Sequence, residues 1–459
     1  MAKNHGFFHS PLETAHIVIK SKISRGVFAA AFDYNDAYFM LLQLPEWQRR
    51  ALPRIFMLGL TSVSVFLFLA LALAVTSGYS LGALVLLLAS TCLLWKRPRL
   101  NLQRQDYLLL GTLLLYFCVF SANMLYHADP ARELDMPLRA LLAVPVMLLL
   151  LAYPPRAEAW WGGLAIGAIG GAALGLWQLL ILHMERPQAA TSNAIHYGNV
   201  SILLGILSLC GLSWARQQRH HRAWMALLVT GGIAGVAGSI VSGSRGGWLV
   251  LPICVCIFAC QYAKGRGKYY LPAILAVFIA VSALAYTLPN SPLRERVEVA
   301  VDDVQKFNEM DNVTTSIGQR FEMWRTAVTM STQHIWFGMG RDGYMAAKQS
   351  LADQGKMNKS ILKHTNAHND YFDALVKRGL TGLAVLLAFF LLPLVMFAGA
   401  LRHCTTAARP YALGGVVLCT CYMIFGLTTS SLTLNIGIIM LLFPMVILWA
   451  MLRQQEHTS

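Results

Sequence analysis

Apolar runs of about 20 residues recur from Pro53 onward, each long enough to cross a hydrocarbon core of about 30 Å as a helix. Such a chain needs lipid as its solvent: 56% of its 459 residues are hydrophobic and only 13% are charged, far from the balance of a soluble domain. In lipid, backbone N–H and C=O groups are satisfied within helices or closed barrels, and the alternation of barrel strands is absent. The expected fold class is therefore an all-α polytopic membrane protein with about 12 transmembrane helices. The spans read as 53–76, 79–95, 106–122, 136–153, 159–183, 195–215, 223–242, 246–263, 269–288, 380–401, 410–428 and 433–452.

Charge sets the orientation. The formal charge of +15 does not form a nucleic-acid footprint, because more than half of the 37 basic residues fall in alternate loops on one side. That side holds the N-terminal arm, Lys96/Arg97/Arg99/Arg104, Arg156, Arg216/Arg219/Arg222, Lys264/Arg266/Lys268, Arg402/Arg409 and Arg453. The positive-inside rule makes it cytoplasmic, with both termini. The short opposite loops hold Arg132, Arg139, Arg186 and Arg245.

Four regions follow: a cytoplasmic arm at 1–52, helices one to nine at 53–288, a large helical periplasmic loop at 289–379, and helices ten to twelve with a cytoplasmic C-terminus at 380–459. The arm has no apolar core of a secretory signal, and its Tyr38-Phe39-Met40-Leu41-Leu42 stretch suits a membrane surface. Helical periodicity in the loop marks three pieces, near 315–332, 342–352 and 366–378. The nine cysteines fall in predicted helices or one short loop and read as packing residues, with neither a disulfide framework nor a metal site.

Three stretches carry candidate chemistry. Arg245, in Ser242-Gly243-Ser244-Arg245-Gly246-Gly247-Trp248, opposes the topology rule. Small residues around it permit a tight turn at a helix start, where backbone N–H groups favour an anion. The competing reading is a hairpin whose arginine snorkels to headgroup phosphate. In Gln319-Arg320-Phe321-Glu322-Met323-Trp324-Arg325, Arg320 and Trp324 share one helix face; taken alone, the pattern favours an amphipathic surface helix with a Glu322/Arg325 pair. His334-Ile335-Trp336-Phe337-Gly338-Met339-Gly340-Arg341 then ends that helix in a glycine turn.

The densest cluster is His364-Thr365-Asn366-Ala367-His368-Asn369-Asp370-Tyr371-Phe372-Asp373. His364 and His368 are four apart, as in zinc peptidases, but Thr365 stands where the catalytic Glu would be. General-base work by one neutral histidine, oriented by Asp370 or Asp373, is the chemical alternative, and a capping histidine the structural one. Taken together, arginines for a phosphate-rich group and one histidine base outside an ATP-containing compartment fit glycosyl transfer from a lipid pyrophosphate.

These motifs resemble those of the bacterial O-antigen ligase and polymerase superfamily, and the O-antigen ligases most closely. Ser242–Trp248 is similar to the family's Ser-x-Ser-Arg-Gly turn, Arg320-x3-Trp324-x2-Ala327 with Gly338-x-Gly340 to the start of its periplasmic loop, and His368-Asn369 with Gly379-Leu380-Thr381-Gly382 to its histidine motif. The similarity covers about residues 53–452. It implies a metal-independent, inverting glycosyltransferase of the inner membrane, related in fold to the GT-C class and needing no cofactor. The implied donor is O-antigen polysaccharide on undecaprenyl pyrophosphate, and the implied acceptor a sugar hydroxyl of lipid A–core. By the same resemblance, Arg245 and Arg320 bind the pyrophosphate and His368 is the base. Asn369, Asp370, Tyr371, Trp324, Ser244 and Gly246 are supporting residues; Arg139, Arg186, His196 and Arg341 line the cavity or hold the acceptor, with Asn193 and Tyr197–Asn199 alongside. Trp336 departs from the family's proline-containing turn, and the arm 1–52 matches no part of it. An O-antigen polymerase, a protein O-oligosaccharyltransferase and a lipid-phosphate transporter are the rival readings. The absence of paired broken helices at the bilayer midplane counts against the last.

Overall fold

The computed structural model describes residues 46–98, 100–263, 269–287 and 315–458, with scattered positions between 294 and 305. Most of the arm, Arg99, the basic loop 264–268 and most of 288–314 lie outside the described residues. Two compact units are distinguished, 1–56 and 57–459. The first is described only from Glu46, where it is helical.

The larger unit is built of helices, and among the described residues ten are long and apolar enough to span a membrane. The helices are α1 (Glu46–Ala70), α2 (Gly78–Ser90, continued by Cys92–Lys96), α3 (Arg104–Tyr126), α4 (Asp135–Ala152), α5 (Ala157–Leu180), α6 (Ala194–Cys210) and α7 (His221–Val241). After them come α8 (Val250–Ala263), α9 (Tyr270–Thr287), α10 (Ser316–Ser331), α11 (Gly340–Asp353), α12 (Asp370–His403), α13 (Arg409–Thr428) and α14 (Asn435–Thr458). Each of the apolar runs read from the sequence is helical, though not all at full spanning length. Gly246–Tyr262 is the short one, and its first turn, Gly246–Leu249, winds as a 3-10 helix. The run at 53–76 also ends early, at Ala70.

α14 is almost wholly buried in the bundle, with α6 and α13 close behind. α7 packs on α5 and α6, and small residues let these three approach closely. A Cβ added at Gly235 of α7 would fall 2.5 Å from the Gly205 Cα and from the Ser201 carbonyl oxygen of α6. At the end of the bundle remote from the histidine cluster, Asp106 accepts from Trp449 Nε1 at 2.8 Å and pairs with Arg453 Nε at 3.1 Å. This buried pair ties α3 to α14, and its partners satisfy one another where an isolated charge would be costly.

The other end carries α10 and α11, which pack on the first turns of α12. The expected start of helix ten at 380 is modified: α12 runs on from Asp370 through one non-helical residue, Gly379 (φ 65°, ψ −162°). That conformation is open essentially to glycine alone. The break frees backbone donors, and the preceding glycine turn accepts them: Leu380 N donates to Ile335 O at 2.7 Å, and Thr381 N to Trp336 O at 3.2 Å. Met339 N returns the favour to Val376 O at 3.1 Å. A Cβ on Gly379 would lie 2.4 Å from the Trp336 carbonyl. Gly379→Ala is accordingly expected to destabilise the protein by about 2–4 kcal/mol, combining strain and steric clash. Thermal unfolding in detergent checks this; a midpoint equal to wild type would contradict it.

Candidate active site

The site is assembled from loops at the end of the bundle that carries α10 and α11. In the first of them, the turn after α7, Ser242 Oγ donates to Ser239 O at 2.7 Å and accepts from Ser244 N at 3.1 Å. Gly243 takes a positive φ of 66°. Both serines are buried, and the Ser242 hydroxyl folds the turn. The turn is wedged between α6 and α13: a Cβ on Gly198 would lie 2.3 Å from Ser242 Oγ, and one on Gly246 2.4 Å from Thr428 Oγ1. Arg245 leaves this wedge half-buried.

Arg320 projects from the second turn of α10, whose N-cap Thr315 accepts from Gly318 N at 3.0 Å. Burial, Arg245 and Arg186 together hold its guanidinium below the ordinary arginine range. Arginines from one helix and two separate connections thus share one neighbourhood. Arg186 is exposed, in the connection between α5 and α6. Such an assembly of like charges is costly without an anion and suits a polyanionic group. Arg325 points elsewhere and pairs with Glu322 at 2.7 Å.

His368 sits in a left-handed backbone conformation (φ 50°), uncommon for a residue with a Cβ. Its neighbours fix it from both sides. Ala367 O accepts from Trp324 Nε1 at 3.0 Å, while Ala367 N donates to Asp373 Oδ1 at 3.1 Å. Asn369 caps α12, accepting from Tyr371 N at 2.9 Å and Phe372 N at 3.1 Å, and donates to Leu427 O at 3.0 Å. Asp370 accepts from Ser431 N and Leu432 N at 3.1 and 3.3 Å, and Tyr371 Oη donates to Met423 O at 2.8 Å. The supporting residues therefore bind the segment to α10, α13 and the loop before α14, and none of these hydrogen bonds reaches the His368 ring.

That ring touches His364: His368 Nε2 and His364 Nδ1 are 3.1 Å apart, and His364 Nε2 lies 3.3 Å from Gln319 Oε1. His368 Nδ1 is buried, with no hydrogen-bond partner among the described residues. Burial, His364, Arg320 and His196 outweigh the opposing Asp373 and push the imidazole down to about 4, so it is neutral at ordinary pH. Among the described residues no three His, Cys, Asp or Glu side chains gather to hold a metal ion. Beneath Gly247, Asn199 and Ser239 carry buried polar atoms with no partner among the described residues, groups that call for water or ligand.

Not every arginine read from the sequence joins this neighbourhood. Arg139 is held by Asp135 at 3.0 Å and by Asn435 at 2.8 Å, and lines a mostly apolar crevice with Leu81, Leu84 and Phe443. Arg341 pairs with Glu133 at 3.0 Å, its backbone N–H donates to Asp129, and it borders a cavity of 260 Å³. That cavity, also lined by Arg132, Lys377 and Arg378, adjoins the histidine segment through Thr365 and Asn366. His196 is buried at the first turn of α6, near enough to bear on His368.

The sequence reading missed two contributors. Gln319 reads as a surface residue until α10 lies against His364, and Lys348, fully buried, donates to Ile361 O at 3.0 Å and to His364 O. Burial and Lys377 lower the Lys348 amine to about 8, against the pull of Asp373. Only its place on the inner face of an amphipathic helix hinted at burial.

A bundle in which ten described helices are long and apolar enough to span a membrane, with arginines and histidines gathered at one end, defines a multi-pass membrane protein. Residues 231–387 match the family model described as O-antigen ligase, a match that supports the O-antigen ligase superfamily. An uncharacterized protein of Haemophilus influenzae is 27% identical over 342 residues, spanning 74% of this chain and 85% of its own length. The matched stretch contains Arg245, Arg320, Gln319, His364 and His368.

Because Trp324 Nε1 holds the Ala367 carbonyl, Trp324→Phe is expected to loosen residues 364–369 and speed their amide exchange about tenfold, leaving exchange in α13 and α14 unchanged. Hydrogen exchange with mass spectrometry tests this; unchanged exchange at 364–369 would contradict it.

Proposed function

We propose that this protein is an O-antigen ligase, transferring O-antigen polysaccharide from undecaprenyl pyrophosphate to a sugar hydroxyl of lipid A–core at the periplasmic face of the inner membrane. The observation that carries the reading is the convergence of Arg245, Arg320 and Arg186 beside a neutral His368 with an unpartnered ring nitrogen. In the reaction so read, the acceptor hydroxyl gives its proton to His368 as its oxygen bonds to the anomeric carbon. The bond from that carbon to pyrophosphate oxygen breaks, and the electron pair leaves with the pyrophosphate. Arg245 and Arg320 stabilise the charge that develops there, the part a metal ion plays elsewhere. Attack from the face opposite the leaving group inverts the anomeric configuration, as in the GT-C class.

The cavity beside Thr365 and Asn366 is the place this reading gives to the acceptor. Its 260 Å³ lies just below the common range for small-molecule sites, about 300 Å³ upward, and Arg132, Arg341 and Arg378 suit phosphorylated sugars. Arg139 belongs to a separate crevice and receives no part in transfer.

Reconstituted transfer tests the proposal, with purified protein, undecaprenyl-pyrophosphate-linked O-antigen and lipid A–core. A ladder of O-antigen on lipid A–core is the expected product; lengthened lipid-linked glycan with untouched acceptor would make the protein a polymerase. His368→Ala should keep donor binding and lose about 10²–10⁴-fold in transfer, whereas Arg245→Ala and Arg320→Ala weaken both. Normal ligation by His368→Ala would sink the base. EDTA is expected to leave activity intact; loss restored by Zn²⁺ would move the chemistry to a metal held by His364 and His368.

The pH dependence has a definite sign. A histidine lowered to about 4 is already unprotonated at pH 6, so kcat/KM should stay level from pH 8 to 6 and fall only as pH drops toward 4. An acid limb centred near the ordinary histidine value of about 6.5 would show that burial and Arg320 do not govern the base.

A further inference from the structure

The geometry points to Gln319 and His364 as positioning residues that set which nitrogen of His368 is the base. This inference rests on the ligase reading, in which His368 takes the acceptor proton. Three polar side chains stand in a row from α10 to the strained loop: Gln319 Oε1 to His364 Nε2 at 3.3 Å, then His364 Nδ1 to His368 Nε2 at 3.1 Å.

With the Gln319 amide oxygen facing His364, hydrogen accounting along the row gives one answer. An amide oxygen only accepts, so His364 Nε2 carries its ring hydrogen and points it at Gln319. A neutral imidazole has one ring hydrogen, which leaves His364 Nδ1 bare and able only to accept. His368 Nε2 then carries the hydrogen between the rings, and His368 Nδ1 keeps the free lone pair. That is the same nitrogen found buried with no hydrogen-bond partner among the described residues.

The surroundings favour this neutral row. Burial, followed by Lys363 and Lys348, disfavours the charged form of His364, and Lys348 also grips the His364 carbonyl oxygen. His368 is faced by Arg320 and His196 as well as His364, with Asp373 opposing them. When His368 accepts the acceptor proton at Nδ1, its Nε2–H donates more strongly to the lone pair of His364, with no proton leaving the pair. His364 thus does for the base what a carboxylate does in a hydrolase triad, using a lone pair in place of a charge.

Nitrogen-15 NMR of the full histidine-labelled protein in liposomes reads the tautomers without any catalysis. His368→Ala and His364→Leu spectra assign the signals. The expected result is protonated Nε2 and bare Nδ1 on both rings; a protonated Nδ1 on His368 would overturn the inference whatever His368→Ala does to transfer. In the kinetic arm, His364→Leu should lower kcat about 10–100-fold with donor KM little changed, and Gln319→Leu about tenfold. Gln319→Glu, which can only accept, should recover most of the kcat lost in Gln319→Leu and move the acid limb of kcat/KM upward. Equal loss in Gln319→Glu and Gln319→Leu would overturn the inference. Transfer by His368→Ala at the wild-type rate would instead overturn the base itself, leaving the tautomers as the NMR reports them.

Discussion

The backbone break at Gly379 is the constraint on which the site depends. A helix cannot lose its ladder beside lipid unless the freed groups find new partners. Here they find the carbonyls of Ile335 and Trp336, so the glycine turn after α10 is stitched to α12. Two glycine motifs some forty residues apart in the chain are halves of one joint. With that joint closed, α10 is held over the first turns of α12, which brings Gln319, Arg320 and Trp324 to His364 and His368.

Energy in the site is distributed unevenly. Around His368 nearly every neighbour is structurally committed: Trp324, Asn369, Asp370, Tyr371 and Asp373 all hold backbone groups. The groups left with unmet demands are Arg320, crowded by like charge, and His368 Nδ1, buried with no partner among the described residues. Strain and frustration at a functional site persist only when the surrounding packing over-determines them. The positive φ at His368 and the clustered arginines fit that pattern, and a bound pyrophosphate would relieve the crowding.

The sequence alone shows much of this. Span length and hydropathy give the helical membrane fold, because lipid leaves so few ways to satisfy a backbone. Helix periodicity finds α10, α11 and the start of α12 within a few residues. Arg245, Arg320 and His368 stand out because charge and imidazole are unexpected where they occur. The residues expected to support His368 cap and tether its segment in the structure, which pattern alone does not reveal.

What the sequence determined, then, is which residues are chemically able to act, since that depends on side-chain type and on the cost of placing it in a membrane protein. The tertiary structure decided which of them meet. Arg139 and Arg186 are indistinguishable by sequence, each a lone arginine on the same side of the topology. Only folding pairs Arg139 with Asp135 and Asn435 and sends Arg186 to Arg320. Gln319 and Lys348 gain meaning only through contacts with His364, one from another helix and one from beneath its loop. Such contacts depend on how helices are rotated and docked, which the 3.6-residue repeat limits but does not specify.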